Sequence, residues 1–207
     1  MFFLITFGWH VAASFAFLLA ILTPNWITVQ ILPTWRNLFL QRGIFYVCDL
    51  TGKNSTYETT HCTSIIGIDT TINSTGRWDY KIATASASVA IACAGISVII
   101  IWLCGIYFNI HRKRSWRLCI LVTISILLFI TFCASFVVWI LLISETLVIG
   151  YKVDRSIFRW PMWLAVGATG GYLMAFMTTL IHLCSLACRR RKNPDQYKLS
   201  ELTRNQF

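Results

Sequence analysis

Four runs of the chain contain no Asp, Glu, Lys or Arg and are long enough to cross a bilayer: Phe2–Leu22, Ile82–Phe108, Leu118–Ile143 and Pro161–Ala187. A span needs about 20 mostly apolar residues, and in lipid only helices or closed barrels satisfy their own backbone polar groups. Runs of this length read as four transmembrane helices. Composition agrees, with 57% hydrophobic and 13% charged residues, where a soluble domain carries about 25% charged. That balance argues against a soluble single-domain enzyme and against a disordered chain. The first run lacks the basic flank of a signal peptide, and Thr23-Pro24-Asn25-Trp26 is a poor cleavage site. It reads as a retained span.

The positions of Lys and Arg set the orientation. Segments 109–117 and 188–207 hold ten basic residues in 29 positions, whereas 23–81 and 144–160 hold eight in 76, offset by six acids. The positive-inside rule then places 109–117 and both termini in the cytoplasm. The expected layout is a four-span domain over 1–187, with outer loops 23–81 and 144–160, and a basic tail over 188–207. Of the net charge of +10, eight units fall at the inner face. There Arg189, Arg190, Arg191 and Lys192 would meet anionic inner-leaflet lipids, at about 1 kcal/mol per basic residue. Nucleic acid is not needed to explain the charge, and the expected location is the plasma membrane.

The large outer loop carries strand-like stretches. Trp26–Leu32 is β-branched and partly alternating, Gly43–Cys48 is aromatic-rich, and Thr51–Ser55 has turn composition with 57–61 returning. An isolated hairpin is marginal in water, so several strands are expected to pair. Cys48 and Cys62 are the two outer cysteines, and secretory oxidation favours their pairing over two free thiols. Asn54-Ser55-Thr56 and Asn73-Ser74-Thr75 are N-glycosylation sequons on the same side. The other six cysteines lie in or beside spans. Cys93 and Cys133 read as packing residues, while Cys104, Cys184 and Cys188, with Cys119, are juxtamembrane candidates for palmitoylation.

Small residues around Ala83–Ala94 and at Gly167, Gly170 and Gly171 read as helix-packing surfaces within the bundle. His10 is the ionisable residue deep in the first span, and such a residue is a functional candidate by default. No span carboxylate partners it, so bonding to a Ser or Thr is expected. His182 lies near the inner end of the fourth span. The chain carries no nucleophile elbow, zinc-protease or phosphate-loop motif. No catalytic, metal or cofactor site is expected.

Trp26 follows the first span, Gly43-Ile44-Phe45-Tyr46-Val47-Cys48 follows it, and Cys62 supplies a second cysteine. On these residues the chain resembles the claudin, peripheral myelin protein and epithelial membrane protein superfamily, whose signature is Trp, then Gly-Leu-Trp-x-x-Cys, then Cys. Ile44 stands for Leu and Phe45 for Trp, and Lys81 lies near a place where the family often has Arg. In character it is similar to the nematode claudin-like (Clc-like) proteins. The resemblance implies a mainly α membrane fold, a left-handed four-helix bundle topped by a small extracellular antiparallel β-sheet. It also implies that Trp26 and Gly43-Ile44-Phe45 dip toward the lipid interface and anchor the sheet.

Three features depart from the claudin pattern. The Cys48–Cys62 spacing is long, Asn54 lies between the cysteines, and Arg204-Asn205-Gln206-Phe207 lacks a Tyr-Val type ending. Arg36, Arg42, Lys53 and Arg77 balance Asp49, Glu58, Asp69 and Asp79, so the outer charges favour neither ion sign. The expected function is non-enzymatic: cell–cell junction, adhesion or membrane organisation through the outer sheet. The alternative is an auxiliary or trafficking subunit of a channel or receptor. Expected partners are the lipid bilayer and other membrane proteins, either copies of the family or such a channel or receptor.

Overall fold

Proline has no N–H to donate and disfavours helical geometry in the residue before it, so Thr23-Pro24 is a natural end for the first helix. A computed structural model of the chain describes residues 2–23, 25–32, 38–53, 56–64, 80–109, 114–148 and 157–192. The elements are α1 (Phe2–Leu22), β1 (Ile27–Leu32), β2 (Leu38–Arg42), β3 (Tyr46–Lys53), β4 (Thr56–Ser64), α2 (Tyr80–Asn109), α3 (Arg114–Val148) and α4 (Trp160–Lys192). All four helices are long and apolar enough to cross a membrane. Each buries at most 33% of its most apolar stretch inside the protein. Large hydrophobic side chains face outward along them, as at Phe15, Val98 and Trp102. A helix apolar all round is suited to lipid.

The helices outrun the uncharged sequence runs. α3 continues past Ile143 to Val148 and takes in Glu145, which the charge pattern had assigned to the second outer loop. α4 continues through Arg189–Lys192. Around the bundle, α1 packs along α4, α4 against α3 and α3 along α2, while α2 meets α1 more sparsely. The core has two centres. One, at the sheet end, joins Phe17, Ala20, Ile21, Ala87, Val138, Leu142 and Met162 to Trp26, Ile27 and Ile44. The other, at the far end, holds Ile100, Cys104, Leu121, Ile124, Leu128 and Ala175.

The small residues do not all serve packing inside the bundle, which corrects that expectation. Ala87 and Ala90 are buried, but Ala85, Ser88 and Ala92 face outward on the same helix. One face of a helix meets its neighbours, and small residues on the other face meet none. In α4 the distinction falls between adjacent glycines. A Cβ added at Gly167 or Gly170 would have no atom within 4 Å, whereas one at Gly171 would lie 2.9 Å from Ala13 Cβ. Ala13 has no flexible side-chain end to move, so α1 and α4 would have to separate. Gly171→Ala is therefore expected to destabilise by about 1–3 kcal/mol through overpacking. Gly170→Ala should be neutral or slightly stabilising, since alanine is the better helix former by about 1 kcal/mol. Thermal unfolding of the two variants in detergent checks this; equal midpoints would show that the α1–α4 approach tolerates a methyl group.

The sheet is an antiparallel meander of order β1-β2-β3-β4. β2 had no counterpart among the expected strands. Gly43, Ile44 and Phe45, which read as strand, instead form the turn between β2 and β3, closed by Gly43 N–H donating to Tyr46 O at 2.8 Å. Their apolar, β-branched and aromatic character serves burial of the turn rather than strand pairing. Ile44 is fully buried and Phe45 partly so, both in the sheet-end core. At the free side of β1, Thr28 N–H donates to Ile157 O and Arg159 N–H to Trp26 O, each at 3.0 Å. Segment 157–159 thus covers that edge, with Ile27 and Phe158 paired antiparallel. Covering an edge strand removes a template for unwanted pairing.

Candidate functional site

A helix leaves its last four carbonyls without internal partners, and α1 ends directly beneath the sheet. Trp26 resolves part of that deficit: its indole Nε1–H donates to Ala20 O at 2.6 Å, and Thr23 Oγ1 donates to Leu19 O at 2.7 Å. The Trp26 side chain is completely buried. Its own N–H donates to Arg42 O at 3.0 Å, so one residue ties the end of α1 to the end of β2. Trp26 and Ile44 dock into the top of the bundle among helix side chains; neither is exposed to the exterior.

Arg42 occupies the same junction. Its side chain and that of Glu145 on α3 are both 0% exposed, with Nε 3.4 Å from Oε1 and Nη2 3.4 Å from Oε2. The guanidinium presents two nitrogens to two carboxylate oxygens, and Nη1 donates to the carbonyl of Gly43. Burial pulls the Arg42 guanidinium below its ordinary value while Glu145 opposes the shift. Arginine stays charged even so. This corrects the count of Arg42 among the balanced outer charges, since it is buried in an ion pair: a buried charge is tolerated only when paired and hydrogen-bonded, and Glu145 is the single acid in the four helices. Sequence reasoning missed the pair. The available signal was a lone acid just past an apolar run and a lone arginine just before Gly43.

Cys48 and Cys62 are directly opposite each other on β3 and β4 and form a disulfide, as the compartment argument expected. Removing both cysteines is expected to cost about 3 kcal/mol for a loop of this size. The Cys48→Ser/Cys62→Ser chain should therefore show a lowered unfolding midpoint with the helix content kept. An unchanged midpoint would mean that the sheet stands without the bond. Asn54 and Asn73 lie outside the described residues, as do Arg36, Asp69, Arg77 and Asp79.

A second polar cluster lies within the bundle. Tyr172 of α4 donates its hydroxyl to Ser14 Oγ of α1 at 3.4 Å, and Ser97 Oγ of α2 is 3.3 Å from the same hydroxyl. His10 Nε2 is 3.4 Å from Ser97 O and 3.5 Å from Ser14 Oγ. A carbonyl only accepts, so Nε2 carries the proton, and Nδ1 is a buried acceptor with no partner among the described residues. Cys93 Sγ donates to Thr131 O of α3 at 3.7 Å. This cluster therefore links all four helices by hydrogen bonds. His10 meets serines, as expected.

Of the candidate acylation residues, Cys104 is removed by the structure. It is 1% exposed within the far-end core, where no acyl donor reaches it, and it acts as a packing residue. Cys119, Cys184 and Cys188 are exposed free thiols. Among the described residues no three His, Cys, Asp or Glu side chains gather as a metal site would require. No protein-family model matches this chain. No curated protein sequence matches it either.

Proposed function

We propose that the chain is a non-enzymatic, claudin-like four-span membrane protein that organises cell–cell contacts through its outer sheet. The observation that carries this reading is the junction itself. A disulfide-joined four-stranded sheet is seated on four membrane-length helices by Trp26, Ile44 and the Arg42–Glu145 pair. Such an arrangement holds a recognition surface at a fixed height and angle above a bilayer. The fold of this reading is the left-handed claudin-like bundle, with the sheet extracellular and both termini cytoplasmic, supported by the Lys/Arg asymmetry. An epitope inserted after Asn193 should then react with antibody only after permeabilisation; labelling on intact cells would reverse the orientation.

The functional test is expression in cells that make no junction proteins of their own. The protein should concentrate where two expressing cells touch and remain uniform where an expressing cell meets a bare one. Uniform distribution at both kinds of contact would favour the second reading, an auxiliary or trafficking subunit of a channel or receptor. The Asn54 sequon, between the paired ends Lys53 and Thr56, gives that reading its support. A glycan there opposes flush packing of facing sheets, which needs about 1,000 Å² or more. Copurification of one membrane partner in constant ratio would establish it.

A further inference from the structure

Arg117 opens the buried face of α3. Arg117, Leu121, Ile124 and Leu128 recur at helical spacing, so they share one side of the helix. The three apolar members are 0% exposed in the far-end core, to which Tyr107 and Phe108 of α2 and Leu183 and Leu186 of α4 add apolar surface. Arg117 is partly buried one turn beyond Leu121, away from the sheet. Its Nε is enclosed and has no hydrogen-bond partner among the described residues. Glu145 is the single acid of the four helices, and α3 rises about 42 Å between the two residues. Residues 110–113, which join α2 to α3, include no acid. The contrast with Arg42 is direct: there a buried guanidinium at the other end of the bundle faces Glu145.

A hydrocarbon core is about 30 Å thick, and about 40–45 Å with its headgroups. A bilayer that meets one boundary at Glu145 therefore brings its opposite phosphates to the level of Arg117. We propose that Arg117 is a specific phospholipid site, which takes the phosphate of one anionic glycerophospholipid from the leaflet on that side. A guanidinium matches phosphate geometry through two parallel N–H···O bonds. The enclosed Nε leaves the Nη1–Nη2 end as the fork that meets the lipid. An anionic lipid fits better than a zwitterionic one, since no described carboxylate at this end receives an ammonium or choline group. A free phosphoester offers the same oxygens, but only the lipid also lays acyl chains along Leu118 and Val122, which are exposed on the same stretch of α3. One partly enclosed guanidinium holding one headgroup differs from the diffuse attraction of a basic segment to a charged surface. The site goes beyond the contact-forming role and stands without it, because it requires only that the four helices span a membrane.

The test uses the full chain, purified in a neutral detergent and stripped of lipid. Dioctanoyl phosphatidylglycerol, dioctanoyl phosphatidylcholine and glycerol 3-phosphate are titrated separately, with the unfolding midpoint as readout. Native mass spectrometry counts bound lipid at raised ionic strength, where loose attraction to exposed cations is screened. Phosphatidylglycerol is expected to raise the midpoint and to stay bound as one copy per chain, with phosphatidylcholine weaker and glycerol 3-phosphate without effect. Arg117→Gln should weaken the phosphatidylglycerol affinity by about 10–100-fold, the worth of hydrogen bonds to a charged group. Arg117→Lys keeps the charge, loses the fork and should fall between. If Arg117→Gln lowers the midpoint before any lipid is added, Arg117→Lys must itself weaken the affinity, and wild-type affinity there overturns the site. Equal affinity in wild type and Arg117→Gln overturns it as well. Glycerol 3-phosphate acting as strongly as phosphatidylglycerol overturns the lipid in favour of a soluble phosphoester, and equal affinity for phosphatidylcholine overturns the anionic class.

Discussion

Arg42→Met is expected to leave most of the chain retained inside the cell, with its unfolding midpoint in detergent sharply lowered. The substitution keeps the length of the side chain but takes the guanidinium away from the Glu145 carboxylate, which is 0% exposed. Removing one partner of a buried pair costs about 3–5 kcal/mol, because the remaining charge has lost its compensation. Against a typical total stability of about 5–15 kcal/mol, that is enough to matter for delivery to the surface. Replacing both partners by apolar residues of similar size is often neutral or stabilising, so Arg42→Met/Glu145→Leu should recover most of the lost stability and surface delivery. Glu145→Leu alone should fail as Arg42→Met does, since it removes the carboxylate that the buried guanidinium faces. Two outcomes would overturn the assignment: wild-type behaviour of either single variant, or a double variant no better than the worse single.

The pair also marks the boundary between what is legible in this sequence and what is not. The four helices were readable because an uninterrupted apolar run reports directly on its solvent, and each run has its helix. The disulfide was readable because compartment left Cys48 one outer candidate. α3, by contrast, was read as ending at Ile143 because a charged residue normally ends an apolar run. It continues through Glu145 because Arg42, 103 residues away, neutralises that charge inside the protein. No local pattern encodes such a contact. β2 was missed for a related reason: its strand character comes from pairing with both β1 and β3, a property of neighbours rather than of Leu38–Arg42. Gly43-Ile44-Phe45 was misread in the opposite sense. Residues that favour strands serve there to bury a turn tip. The outward-facing small residues of α2 show the limit of reading composition without a face, since the sequence marks Ala85 and Ala87 alike and the bundle covers one of them.

If the junction seats the sheet, its largest buried side chain should control that seating. Trp26→Ala is expected to free the sheet from the bundle while leaving the four helices assembled. The loss has two parts. Truncating a buried aromatic to alanine costs about 3–5 kcal/mol in a packed core, and Trp26 is completely enclosed beside Ala20, Ile21, Ile27 and Ile44. The Ala20 carbonyl also loses the indole N–H that reaches it at 2.6 Å, worth about 0.5–1.5 kcal/mol for a hydrogen bond of this kind. Trp26→Phe separates the two parts, because it keeps most of the ring and removes the donor; its deficit should be a minor share of the alanine value. Limited proteolysis of protein in detergent is the direct readout. The 23–81 segment should be cut much faster in Trp26→Ala than in wild type, with the helices protected in both. The Cys48–Cys62 bond should still form in the variant, because the two cysteines face each other across β3 and β4 and their pairing is set by strand register rather than by the bundle. Wild-type proteolysis of Trp26→Ala would show that the sheet is held without its tryptophan. Loss of the disulfide in that variant would show that the sheet cannot form before it docks.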